Sequence, residues 1–172
     1  MKIAILSDIH NNKTNLKLAL DRIKENGVEH IIGLGDYVSK EILQEFIDLN
    51  LPGNFVWGNN DSSKKEEMLE FLKESNSPLN FSDQAIHGRS FDIINLDGKN
   101  IVIGHFPEIA MYYGELNKAD IIFFGHTHYK FFEKVGETIF ANPGEILGKR
   151  SGISSFIIWD TKNDDMKFID LN

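Results

Sequence analysis

Cysteine is absent from the chain of 172 residues. Disulfides and thiolate metal sites are therefore excluded, and any metal must be held by His, Asp, Glu, Asn or backbone oxygen. Basic residues are outnumbered, with 18 Lys and Arg against 26 Asp and Glu, for a formal net charge of -8. Such a surface has no electrostatic footprint for general binding to nucleic acid or to anionic membrane. A local positive site, such as a bound metal, would still attract a phosphate. Long hydrophobic runs are also missing. The apolar stretch in MKIAILSDIH stops at Asp8, too soon for a signal sequence, and no stretch approaches transmembrane length. A cytoplasmic protein is expected. There is no internal repeat, low-complexity tract or long linker.

What remains is ample for a core, since 41% of residues are hydrophobic. The length suits a single domain over residues 1–172. The first half alternates strand and helix. Ile3 to Leu6 and Ile31 to Leu34 are continuous apolar runs, as in strands buried on both faces. Leu16, Ala19, Leu20 and Ile23 fall at helical spacing, with Gly27 as a stop. Ser39 is placed to cap a helix whose apolar face includes Ile42, Leu43, Phe46 and Ile47. Phe55 to Trp57 predict a third strand, and Ser62 to Lys73 a helix with Met68, Leu69 and Leu72 inward. Beyond SNSPLNFSD the pattern becomes strand-rich. FDIINL and NIVIGH flank the hairpin signal Asp97-Gly98, and DIIFFGH, YKFFEKV, ETIFAN, SFIIWD and MKFIDL are further strands. Two packed sheets with helices outside would bury both sets of apolar faces.

The polar residues that end these strands carry the chemical information. The runs lead into Asp8-Ile9-His10, Gly35-Asp36, Gly58-Asn59, Gly104-His105 and Gly125-His126-Thr127-His128. Open α/β sheets hold ligands beyond the carboxyl ends of their strands. Each piece alone reads as an ordinary turn. Together they bring four of the six histidines, two aspartates and an asparagine to one edge. Mixed imidazole and oxygen donors suit Mn, Fe, Zn, Ni or Co better than Mg or Ca. Two divalent cations clamping one reacting group stand about 3.5–4 Å apart. That spacing needs a bridging carboxylate, for which Asp36 is the natural candidate. Two such cations, two carboxylates and one hydroxide leave a net charge of about plus one, a site for a small phosphate ester.

These motifs, in this order, resemble the signature of the calcineurin-like metallophosphoesterases. NPGE at Asn142 to Glu145 resembles the NPGS of the small members, and SDIHNN and the short length resemble their single-domain phosphodiesterase branch. The resemblance implies an α/β fold, a four-layered αββα sandwich of two mixed sheets with the metals at strand ends. It implies one metal held by Asp8, His10, Asp36 and His128, and a second by Asp36, Asn59, His105 and His126. It further implies hydrolysis of a phosphodiester by a metal-bridging hydroxide. Asp36, Asn59, Asn60 and His105 are taken as the catalytic set, and the mixed donors make Mn the leading cofactor. A phosphomonoesterase with the same metals is the runner-up. The retromer subunit that resembles this family is an interaction scaffold that has lost metal-site histidines, whereas this chain keeps every ligand position. Self-association stays open.

The departure is at Asn60, where many members have His and small ones often have Cys. An amide can donate a hydrogen bond but not become a stable anion. Asn60 is expected to orient substrate or groups around the metals, and Asp61 to cap the helix beginning at Ser62, with support of the metal ligands as the alternative. His30 and His87 are expected to play ordinary structural parts. Phe106, Tyr112 and Tyr113 could line a substrate pocket or simply pack a loop, and Arg150 is assigned to the surface, with reach to a phosphate as the alternative.

Overall fold

The first strand shows how one short run serves two cores. In β1 (Lys2–Leu6), successive side chains point to opposite faces. Ile3 and Ile5 enter a core between two sheets, while Ala4 and Leu6 enter a core beneath helices. Burial on both faces explains the unbroken apolar run, and each fully buried Ile contributes about 1.5–3 kcal/mol. This computed structural model describes residues 1–171. After β1 come α1 (Lys13–Glu25), β2 (His30–Gly33), α2 (Lys40–Leu49), β3 (Gly53–Phe55), α3 (Lys65–Glu74) and β4 (Leu79–Phe81). The rest comprises β5 (Ala85–Ile86), β6 (Arg89–Leu96), β7 (Lys99–Gly104), α4 (Pro107–Leu116), β8 (Ile121–Phe124), β9 (Lys130–Val135), β10 (Thr138–Pro143), β11 (Ser155–Asp160) and β12 (Asp165–Asp170).

The strands form two mixed sheets, ordered β12-β11-β1-β2-β3-β4 and β5-β6-β7-β8-β10-β9. In the first, β1 to β4 run parallel, and β11 joins β1 antiparallel, with Ile3 opposite Trp159. In the second, β7, β8 and β10 are parallel. Ile32, Val56, Ile103, Phe123, Ile157 and Trp159 help fill the space between the sheets. Helices α1, α2 and α3 cover the outer face of the first sheet through Leu16, Ile23, Phe46 and Met68. Helix α4 covers part of the second through Ala110, packed with Val102 and Ile122. The result is the expected α/β sandwich of four layers. Among the described residues, no helix is long and apolar enough to cross a membrane.

Several local expectations are corrected. The third strand is β3, two residues earlier than the apolar run suggested, although Val56 N–H still bonds to Gly33 O at 2.9 Å. Ser39 precedes α2, but its hydroxyl donates to Asn11 Oδ1 at 2.8 Å and makes no cap bond. Asp61 does not cap a helix at Ser62. It sits in a 3-10 turn over Asn59–Asp61, and α3 starts only at Lys65. Its carboxylate instead accepts from the backbone N–H groups of Asp36, Val38 and Gly58. β4, β5 and α4 had no forecast. The Asp97-Gly98 hairpin is as expected, with both residues at positive φ (49° and 77°), as the two-residue turn demands.

Candidate metal centre

The parallel strands at the middle of each sheet end at the same edge of the sandwich. β1, β2 and β3 lead into Asp8 and His10, Asp36, and Asn59 and Asn60, while β7 and β8 lead into His105 and then His126 and His128. All eight residues forecast for the site are thus delivered to one edge by two sheets. Asp8, Asp36, His105 and His128 form its floor, none more than 2% exposed. Asn59, Asn60 and His126 lie at its exposed rim.

The backbone at these strand ends turns sharply. Asp8, His10, Asp36, His126 and His128 have positive φ, between 46° and 68°. Such conformations cost non-glycine residues energy and persist where surrounding bonds over-determine them. Asp8 N–H bonds to Gly35 O, and both Ile9 and His10 N–H bond to Asp36 O. Gly58 lets the third strand end approach closely, because a Cβ there would run into the Asp36 carboxylate and backbone. Gly125 is needed likewise against the Ser7 hydroxyl.

The side chains meet in pairs that a cation would reconcile. His105 Nδ1 donates to Leu34 O at 2.8 Å, so the neutral ring presents a lone pair at Nε2. That Nε2 lies 3.0 Å from Asn59 Oδ1 and 3.6 Å from Asp36 Oδ2. His128 Nδ1 donates to Glu145 Oε2 at 2.8 Å, which turns the Nε2 lone pair towards Asp8 Oδ1, 3.3 Å away. His10 Nε2 lies 3.3 Å from Asp36 Oδ2 and 3.6 Å from Asp8 Oδ1. Both His10 Nε2 and Asp8 Oδ1 are buried without a hydrogen-bond partner. Lone pairs facing lone pairs in a buried floor are costly, and a divalent cation between them removes the conflict. Two overlapping triads, Asp8 with His10 and His128, and Asp8 with Asp36 and His105, have ligand atoms all within 4.8 Å of one another. At the rim, His126 Nδ1 is 3.0 Å from Asn59 Oδ1 and 3.3 Å from His105 Nε2. The residues present therefore fit divalent metal.

The same neighbours set the electrostatics of the metal-free site. Burial alone would raise the Asp8 carboxyl, but His10 beside it and the fields of His105 and His128 hold it below its usual value. Burial pulls His10 down, yet Asp8 and Asp36 outweigh it and raise the imidazole. For His126, burial and then repulsion from His105 win, and the ring is pushed down.

Two supporting carboxylates frame the site. Asp61 Oδ2 accepts from Asp36 N–H at 2.9 Å and Gly58 N–H at 2.7 Å, while Oδ1 accepts from Val38 N–H at 2.8 Å. It ties the loop after β2 to the loop after β3. Burial nevertheless raises its pKa, despite these N–H groups. Glu145, fully buried, meets His128 from behind. Sequence reasoning gave it no part, although the Glu in NPGE where the small relatives have Ser was a visible signal. Asn142 steadies the same loop by donating to Gly125 O at 2.9 Å and Thr127 Oγ1 at 3.0 Å.

The remaining expectations divide. Phe106 lies at the rim, its ring 4.7 Å from that of His126, with the Arg89 guanidinium 4.7 Å over its ring centre. Tyr113 instead stacks on Phe91 at 3.8 Å, and Tyr112 faces an apolar groove of about 600 Å³ with Met111, Val135 and Phe140. His30 bonds to Asn54 at 2.9 Å, and His87 is an exposed turn residue. The Arg150 side chain is exposed.

The family model for the calcineurin-like phosphoesterase superfamily domain matches residues 1–164. The chain is 32% identical over 171 residues to phosphodiesterase MJ0936 of Methanocaldococcus jannaschii, covering 98% of each. Among solved structures, an archaeal phosphodiesterase superposes with a TM-score of 0.86 at 30% identity, over 99% of both chains. Zinc-complexed Vps29 of Entamoeba histolytica matches with a TM-score of 0.64 at 18% identity, over 100% of both, a likeness of fold alone.

Proposed function

The chain belongs to the calcineurin-like phosphoesterase superfamily and is a metal-dependent hydrolase acting on phosphate esters, and we propose that it cleaves phosphodiesters at a centre of two divalent cations. One cation is assigned to Asp8, His10, Asp36 and His128, and the other to Asp36, Asn59, His105 and His126. The observation that carries this reading is the pair of overlapping triads in which Asp8 Oδ1 and His10 Nε2 are buried without partners, with Asp36 Oδ2 3.3 Å from His10 and 3.6 Å from His105. Mn is proposed as the activating metal, ahead of Ni, Fe, Zn or Co, from the mixed nitrogen and oxygen donors. When bound, such cations supply Lewis acidity at the phosphoryl oxygens and lower the pKa of water.

The chain's own residues orient and restrain. Leu34 O accepts from His105 Nδ1 and fixes that ring's tautomer. Asp61 holds the backbone of Asp36 against Gly58. Asn60 offers amide hydrogen bonds at the rim but no transferable proton. The test is turnover of a diester and a monoester bearing the same leaving group by metal-loaded protein. Faster diester cleavage is expected. Monoester preference would overturn the diester assignment, and cation uptake without cleavage of either ester would favour a scaffold role.

A further inference from the structure

Glu145 is fully buried, and its segment is clamped to the floor of the centre. Ile146 N–H bonds to Ser7 O and Leu147 N–H to Asp8 O, both at 3.0 Å, and Ser155 N–H bonds to Glu145 O at 2.9 Å. Its carboxylate has partners on both sides. Oε1 accepts from Arg150 N–H at 2.7 Å, Ser151 N–H at 2.6 Å and Ser151 Oγ–H at 2.8 Å. Oε2 accepts from His128 Nδ1 at 2.8 Å. Every partner is a donor, so only a group with acceptors on both sides satisfies them all.

We infer that Glu145 is a positioning residue that commits His128 to the tautomer able to ligate metal. This rests on the metal assignment above and extends it to a residue with no place in the resemblance, where Ser stands. A carboxylate can only accept, so the His128 proton stays on Nδ1. The lone pair then stays on Nε2, which faces Asp8 Oδ1 at 3.3 Å. Stacking on His10, with ring centres 5.0 Å apart, holds the ring plane. A hydrogen bond from an imidazole to a carboxylate also makes the opposite nitrogen a stronger donor to a cation.

Glu145→Gln separates this role from a structural one. The amide oxygen would serve the three donors of Arg150 and Ser151, so its NH2 would face His128. His128 Nδ1 must then accept, and the proton moves to Nε2. There it can donate to Asp8 Oδ1, so the metal-free variant is internally satisfied but closed to the cation. Glu145→Ser does the reverse. It strips partners from Arg150 and Ser151 and lowers stability, yet leaves His128 free to choose its tautomer.

The experiment measures Mn binding by titration calorimetry and metal-free stability by urea denaturation, for the parent and both variants. Glu145→Gln should weaken one cation by about 10–100-fold. Glu145→Ser should weaken that cation less, while being the less stable variant. The same rank order in affinity and stability, or parental affinity in Glu145→Gln, would overturn the inference. Nitrogen NMR of metal-free protein, at a pH where imidazoles are neutral, provides a readout that needs no cation. His128 should carry its proton on Nδ1 in the parent and on Nε2 in Glu145→Gln, and an unchanged tautomer refutes the proposal. Failure of the diester assay would not touch these readouts, so the two readings fail separately.

Discussion

Asn60 grips both oxygens of Asp36, its backbone N–H donating to Oδ1 at 2.8 Å and its side-chain Nδ2 donating to Oδ2 at 2.7 Å. The residue where many relatives have His is therefore a two-point clamp on the proposed bridging carboxylate. It has no proton to give a departing oxygen. Positioned general acids typically contribute 10²–10⁴-fold, and poor leaving groups depend on them most. In a series of diesters differing only in leaving group, with chemistry rate-limiting, the rate should fall steeply as leaving-group pKa rises. Aryl esters should far outpace alkyl esters. Asn60→Ala should cost modestly, because the backbone half of the clamp survives. A flat dependence in the parent protein would mean that another residue supplies the proton.

Asp61 should matter for stability as well as activity. Its carboxylate accepts from three backbone N–H groups, at Asp36, Val38 and Gly58. Asp61→Asn keeps an acceptor on one side and turns an NH2 towards a donor on the other. Each buried donor left unpaired costs about 1–3 kcal/mol. Urea denaturation of metal-free protein should show a loss of that order for Asp61→Asn and a larger one for Asp61→Ala. If Asp61→Asn matched the parent, the view of Asp61 as a tie between loops would be lost.

Asp36→Asn and His126→Ala should each reduce activity to background while the protein stays folded. Asp36 should matter more, because without a bridge two cations repel each other unscreened. His87→Ala serves as the control, since His87 lies on an exposed turn outside the centre. Equal damage from His87→Ala and His126→Ala, measured as kcat/KM on one aryl diester, would refute the site assignment.

Chelation should abolish activity, and added Mn should restore it. Metal should also stabilise the folded state, by about 2.7 kcal/mol at a hundred times Kd. A thermal melt with and without Mn checks this without any substrate. Full activity after chelation, with no metal returned, would sink the metal assignment.

The positions of the site residues were legible because each stands directly after an apolar run, where a parallel strand must end. Asp8, Asp36 and His105 needed no structure to be placed at one edge. Asp61 reads first as a cap, because Asp before a polar helix is a frequent one, and only second as a support for the site. Only the fold reveals that the loops of Asp36 and Gly58 converge on its carboxylate. Glu145 was missed for a similar reason. Its partner His128 is 17 residues away, and their pairing depends on how the loop after β10 returns beneath β8. Helix α4 was hidden because its first turn follows directly on the Gly104-His105 strand end, and its aromatic residues suggested pocket lining rather than periodicity. β4 was hidden by its brevity, three residues in a polar stretch.

One pairing in the first sheet sets an order of events during synthesis. β1 carries Asp8 at its end, yet the neighbour on its open side is β11, with Lys2 opposite Asp160 and Ile5 opposite Ile157. β1 thus waits for a partner that is made long after it. Loop-closure entropy must be met before such a distant contact returns anything. Until then Ile3, Ile5 and the unpaired flank of β1 are open to chaperones or to wrong partners. The strand that ends at Asp8 is therefore paired on both flanks only once β11 exists, and a fragment ending before Ser155 should bind Mn far more weakly than the whole chain.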